Sequence, residues 1–255
     1  MMNVKHNPKI SIITISYNSA EYIEETIKSV ISQDYRNMEY IIIDGESTDG
    51  TMDIITKFRP KIDVVVHEPD TGISNAFNKG IRKSTGDIIG IVNCGDIMLP
   101  GTLEALAGQY EEKIDLYRGQ EIIRNYKTGK EYILSPSLQY PRLTFPFNSC
   151  HMGTFITRKA FEKYGLYNEK FMIGMDKELL FRFHRLGATE KRLDGLYGIF
   201  RRGGISQSPV YNEKKIEEAV RIIRENGGGK LSAFIIILYL KFRFLIRDMA
   251  GKRIV

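Results

Sequence analysis

Four apolar runs in the first hundred residues each end in a polar cluster: Ser16-Tyr17-Asn18, Asp44-Gly45-Glu46-Ser47-Thr48-Asp49-Gly50, Glu68-Pro69-Asp70-Thr71-Gly72 and Asn93-Cys94-Gly95-Asp96. Gathered in one mouth, these acids, amides and hydroxyls suit a sugar, a ribose or a hydrated metal. Asp96 poses the sharpest choice. A lone Asp just past an apolar run can hold a cation, cap the helix that Pro100 opens, or do no chemistry. Mg²⁺ or Mn²⁺ needs only one or two protein carboxylates when a diphosphate and waters complete its octahedron, so one Asp is sufficient in principle. Asp44 has a different neighbourhood: Ser47, Thr48 and Asp49 are better helix caps, which leaves Asp44 to accept hydrogen bonds from a ligand. Further on, Asp176 and Glu178 stand in Met172-Ile-Gly-Met-Asp-Lys-Glu-Leu-Leu-Phe-Arg-Phe183. Asp176 heads a predicted helix, where it either caps the first turn or faces a pocket, and Glu178 points about 200° away from it. Lys177 and Arg182 read as solvated charges.

These groups need elements to hold them. Ile10–Ile15, Tyr40–Ile43, Ile62–Val66 and Ile88–Val92 are short, β-branched and continuous, as strands buried on both faces are. Helical patterns at Glu21–Gln33, Thr51–Phe58 and Ile73–Lys83 alternate with them, predicting right-handed βαβ units whose ligand mouth lies at the carboxyl ends of the strands. The second half reads as two strands over Tyr117–Leu134 joined near Lys127–Lys130, an aromatic loop over Pro136–Phe147, and helices at Ile173–Leu186 and Glu213–Asn226. Gly227-Gly-Gly229 then makes a hinge into the tail. Gly72 and Gly80 read as backbone requirements, and Asn78 between them as an amide that ties the loop or meets a ligand.

No Gly-x-Gly-x-x-Gly, Gly-rich Lys-Ser/Thr loop or His-Glu-x-x-His is present, which sets aside dinucleotide oxidoreductases, P-loop NTPases and zincins. Asp44-Gly-Glu-Ser-Thr-Asp-Gly-Thr51, Glu68 to Gly80, Thr85-Gly-Asp87 and Asn93-Cys-Gly-Asp96 do occur, in that order. The array resembles the inverting nucleotide-sugar glycosyltransferases of family two, in the branch that builds bacterial surface polysaccharides, over about Lys9 to Ser206. The resemblance implies the GT-A fold: α/β, with a mostly parallel sheet flanked by helices, a nucleotide-sugar-binding half at 9–100 and an acceptor half at 101–210. It implies a nucleoside-diphosphate sugar donor, UDP-sugar favoured, a saccharide or lipid-linked saccharide acceptor, and a divalent cation, Mn²⁺ or Mg²⁺, on Asp96. Family members usually carry a second carboxylate here, where this chain has Asn93 and Gly95. Asp176 falls on the family's catalytic base. Asp44 matches the acid that receives the base's imide proton, and Ser16, Tyr17 and Asn18 match its nucleoside loop. Asp70, Gly72, Asn78 and Asn93 belong to the donor motifs. Arg202, in Arg201-Arg202-Gly-Gly-Ile-Ser206, matches a basic loop near the donor diphosphate, and His151 a histidine that meets the acceptor or a phosphate. Many members have Arg where this chain has Phe77. A non-catalytic nucleotide-sugar-binding module is the alternative.

The 255 residues carry a net charge of +6, and it is unevenly placed. From Lys230 to Val255 stand six bases and one acid, Asp248. That asymmetry argues against nucleic acid and for a basic tail meeting an anionic surface. Leu231–Leu240 is apolar except for Ser232, too short to span a bilayer that takes about 20 apolar residues. Residues 211–255 therefore read as a helical extension that lies on a membrane or packs against the body or a second subunit in a homodimer. Two cysteines, Cys94 and Cys150, make no disulfide framework, and the N-terminus lacks a secretory apolar core. The expected location is the cytoplasm, at the inner face of the cell membrane.

Overall fold

A computed structural model describes residues 7–136, 149–204 and 208–251. The first four strands, β1 (Ile10–Ser16), β2 (Met38–Asp44), β3 (Val64–His67) and β4 (Ile88–Ile91), form where the apolar runs predict them. The helices between them are α1 (Ile23–Ile31), α2 (Thr51–Lys57) and α3 (Ile73–Lys83). All pairings among these strands are parallel. The remaining strands are β5 (Ile97–Met98), β6 (Leu116–Arg124), β7 (Glu131–Leu134), β8 (Thr154–Thr157) and β9 (Glu190–Arg201), and all nine join one sheet. Its order is β3-β2-β1-β4-β8-β6-β9-β5, with β7 hairpinned onto β6. Beyond β4 the sheet is mixed, since β8 runs antiparallel to both β4 and β6 while β9 lies parallel to β6. Pairing is thus wholly parallel through the first half and mixed beyond it.

The continuous apolar runs are explained by burial on both faces. Along β1 and β2, Ile13, Ile41 and Ile43 enter one core with Phe77 and Ile81 of α3. Their neighbours Ile12, Tyr40 and Ile42 enter the other with Ile23, Ile27 and Val30 of α1. The first core is completed by α5 (Arg158–Tyr164), α6 (Met175–Arg185), α7 (Asn212–Glu225) and α8 (Lys230–Gly251), the second by α2 and α4 (Thr102–Gly108). The extension read from residue 211 therefore contributes core: Ala219, Ile222, Ile236 and Leu240 are buried in the same cluster as Leu179 and Phe183 of α6.

One buried acid fixes the approach to α6. Glu218 of α7, 2% exposed, accepts hydrogen bonds from the main-chain N–H groups of Met172 (2.7 Å), Ile173 (3.0 Å) and Gly174 (2.7 Å). Of these donors only the Gly174 N–H is one that the helix start leaves unpaired; with the other two it lets α7 anchor the turn that leads into α6. The reading of Arg182 and Lys177 as solvated is corrected here. Arg182 pairs with the buried Glu178 at 2.7 Å and donates to the carbonyls of Tyr164 and Leu166, because it packs under the turn after α5. Lys177 is half-buried, and burial together with Arg243 of α8 lowers its pKa to about 8. The aromatic loop expected at 136–147 lies, beyond Pro136, outside the described residues.

Candidate functional site

The strand ends of β1 to β4 meet the start of α6 and the segment before β8. Backbone geometry marks the place. Among the described residues, the non-glycine residues with positive φ are Asn18 (45°), Glu46 (66°) and Cys150 (46°), and all three lie here. Backbone held in this region clusters at binding and catalytic sites because the surrounding structure must enforce it.

His151 is the pivot. Its Nδ1 lies 3.2 Å from Asp176 Oδ2, its Nε2 lies 3.0 Å from the Asn93 amide nitrogen, and its ring stacks on Phe77 with centroids 5.8 Å apart. Two residues of β6 hold the segment that carries it. The buried guanidinium of Arg118 donates to the Ser149 carbonyl at 3.0 Å, and Glu121 accepts from the Met152 N–H at 2.8 Å. Burial pushes the His151 imidazole pKa down, but the carboxylates of Asp176, Asp96 and Glu121 outweigh it and raise the pKa to about 9. In the protonated ring both nitrogens donate, so Nε2 requires an acceptor. Turning the Asn93 amide supplies Oδ1 there and pairs an otherwise unpartnered buried oxygen. Phe77 thus serves as the platform for this ring.

Asp96 is 3% exposed, and its Oδ1 accepts the Arg201 N–H at 2.8 Å. Burial raises its pKa to about 7. Its Oδ2 is buried without a hydrogen-bond partner. A hard oxygen left unpaired in a pocket of acids fits a hard divalent cation. No cluster of three His, Cys, Asp or Glu side chains that could hold a metal occurs among the described residues, so such an ion would need oxygens from the substrate. Gly95 leaves little freedom for a side chain. Its φ is +98°, and a Cβ built on it would lie 3.2 Å from Arg201 Cδ and 3.3 Å from Nε. The Arg201 guanidinium is held between the rings of Tyr22 (4.4 Å) and Tyr126 (3.6 Å) and donates to the Gly95 carbonyl at 3.1 Å.

The other predicted residues divide into those the mouth exposes and those it consumes. Tyr17 is 64% exposed and stands over Gly45. Asp70 also packs against Gly45, and its Oδ1 accepts from the Gly72 N–H at 2.8 Å. Gly72 has φ +133°, a conformation that glycine alone adopts readily. Asp44 corrects the expectation of a free acceptor. Fully buried, it takes hydrogen bonds from the Ser16 and Ser47 hydroxyls, the Ser47 N–H and His67, so its lone pairs are already committed. Burial pushes its carboxyl up, and those hydrogen bonds together pull it below the usual range. Ser16 is accordingly a partner of Asp44. Asn18 accepts from the Thr48 N–H at 2.9 Å and ties the first loop to the second. Asn78 is likewise corrected: it donates to the Tyr167 carbonyl and Glu169 and accepts from the Tyr167 N–H, which ties α3 to the approach to α6. Arg202 is exposed on the turn after β9, with its N–H on the Arg124 carbonyl at 2.8 Å. Asp176, on the first turn of α6, keeps a quarter of its side chain exposed. Arg201, Glu121, Tyr167 and Glu218 were missed from sequence, although the Arg201-Arg202 pair flagged the right turn.

A model of the glycosyl transferase family 2 matches residues 11–172, which include the four strand ends and the His151 segment. The chain belongs to glycosyl transferase family 2. An uncharacterized glycosyltransferase of Haemophilus influenzae is 30% identical over 240 residues, 86% of this chain and 73% of that protein. A PGL/p-HBAD biosynthesis glycosyltransferase of Mycobacterium tuberculosis is 29% identical over 178 residues, 66% of this chain and 67% of the relative. Among solved structures, the mannosyltransferase PcManGT of Pyrobaculum calidifontis, in complex with GDP-Man and Mn²⁺, superposes with TM-score 0.64 at 16% identity over 86% of this chain. S. aureus TarS 1-349 with UDP-GlcNAc superposes with TM-score 0.65 at 19% identity, also over 86%. The chain spans 64% and 66% of those two structures. They share its GT-A-like fold of a mixed, curled sheet flanked by helices. This family 2 glycosyltransferase has no helix among its described residues that is long and apolar enough to cross a membrane.

Proposed function

We propose that the protein is an inverting glycosyltransferase that moves a sugar from a nucleoside-diphosphate donor, a UDP-sugar in the favoured case, to a saccharide or lipid-linked saccharide in surface-polysaccharide synthesis. The observation that carries the reading is the chain Asp176–His151–Asn93, which joins the first turn of α6 to the end of β4 beside the buried Asp96. Inversion needs a base on the face of the sugar opposite the departing diphosphate. Asp176 is that base: as the acceptor oxygen bonds to the anomeric carbon, its carboxylate takes the hydroxyl proton while the bond to the diphosphate oxygen breaks and that oxygen keeps the electron pair. His151 donates from Nδ1 to Asp176 and holds the carboxylate in place. Tyr17 and Asp70 border the place for the nucleoside, and Arg201 sets a positive charge beside Asp96. Asp96 Oδ2 would hold a divalent cation, Mn²⁺ or Mg²⁺, which supplies positive charge to a leaving diphosphate when bound. Residues 9–100 form the donor half and 101–210 the acceptor half in this scheme.

The test screens UDP- and GDP-sugars by ligand-induced thermal shift with Mn²⁺, then follows transfer and product anomeric configuration by NMR. Inverted product from wild type and a loss of at least about 100-fold in Asp176→Asn support the reading. Donor binding without any turnover in wild type would instead make the protein a nucleotide-sugar-binding module.

A further inference from the structure

The 22-residue helix α8 has two apolar faces with different fates. One is core: Ala233, Ile236 and Leu240 are at most 9% exposed and pack beside α7. The other carries Leu231 (72% exposed), Phe234, Leu238, Phe242 (63%), Leu245 and Met249, spaced three to four residues apart. At 100° per residue these fall on one arc, and none of the described side chains on that arc is charged. Lys230 and Lys241 stand on one edge of it, and on the other side exposed Ile235, Tyr239 and Ile246 widen the arc toward Arg243. A row of large apolar side chains about 27 Å long, left open by a helix whose opposite face is already buried, marks a docking surface.

We infer that this outer face of α8 lies flat on an anionic lipid bilayer, with its apolar row at the acyl boundary and the flanking bases on lipid phosphates. Charge selects this occupant over a second copy of the chain. The segment from Lys230 carries six bases against one acid, so pairing two such faces brings like charges together, whereas an anionic headgroup layer neutralises both edges. The helix lies along the bilayer, since it is not apolar enough to cross it.

The inference stands independently of the transfer reading, and its test needs no turnover. Full-length protein is co-sedimented with vesicles of phosphatidylcholine alone and with 30% phosphatidylglycerol, at low and high salt. Leu238→Glu/Phe242→Glu changes only exposed positions, and circular dichroism melts check that it folds. The expected result is at least tenfold stronger binding to the anionic vesicles, weakened by salt and lost in the folded double variant. Equal binding to both vesicles, or retention by the double variant, overturns the proposal. So does a dimer in light scattering that the double variant abolishes while wild type ignores vesicles. Asp176→Asn is expected to bind vesicles as wild type does, which separates docking from catalysis.

Discussion

Arg201 and Asp96 stand 105 positions apart in sequence, and the main-chain N–H of Arg201 donates to Asp96 Oδ1 at 2.8 Å. The same arginine packs its side chain against the place where a side chain at position 95 would begin. A side chain at position 95 would therefore press on this arginine.

Gly95→Ala is expected to destabilise the protein by about 1–3 kcal/mol, since it adds strain at φ +98° and presses on Arg201. Arg201→Ala removes the pressure and the charge together. It should weaken UDP binding in the presence of Mn²⁺ about tenfold by calorimetry, and unchanged affinity would show that the guanidinium serves the fold alone.

His151 holds Asp176 and lies beneath the mouth, so its loss should act on the chemical step. His151→Ala is expected to lower kcat about 10- to 100-fold while UDP affinity, read by calorimetry, stays within about threefold of wild type. An equal loss in both quantities would make His151 a donor contact.

Glu218 leaves three N–H groups unpaired when it is removed. Glu218→Ala should cost about 2–4 kcal/mol by urea denaturation and should increase hydrogen exchange at residues 172–174 first. A surface-like change below about 0.5 kcal/mol would mean that these N–H groups have other acceptors in reach.

Asp44 links stability to pH. Its folded carboxyl is held below the usual range, so its stabilisation is present above the unfolded carboxyl pKa, near 3.9, and is lost as pH falls through the lower folded value. Asp44→Asn should therefore be less stable than wild type at pH 7, by about 1–3 kcal/mol, and the gap should narrow as pH falls below the unfolded value. A gap that is constant with pH would show that the loop is held without ionised Asp44.

The local layer of this architecture was legible. β-branched runs gave β1 to β4 to within two residues at most ends, and the helical pattern placed α3 at Ile73–Lys83 because its face is fixed by Ala76, Phe77, Ile81 and the sheet beneath. The polar strand ends pointed to the mouth because parallel strands deliver their ends to one side. Less could be read of what each polar residue does. Asp44 looks like a ligand group in sequence and Asn78 reads either way, yet each is consumed in part by partners 23 to 91 residues away, and pairing of that range leaves no local pattern. Glu218 was hidden for the same reason, although its place beside the buried Ala219 and Ile222 on α7 is a signal of burial.

By itself the sequence determined the elements, the order of the strand ends, the candidate acids Asp96 and Asp176 and the basic, apolar tail, because each of these is written in neighbouring residues. Tertiary structure alone decided which groups meet. It set His151 between Asp176 and Asn93, packed Arg201 beside Gly95 and Asp96, and divided α8 into a buried face and an open one. The physical reason is that hydrogen bonds, burial and charge act through space, and a chain states only the sequence in which those groups arrive.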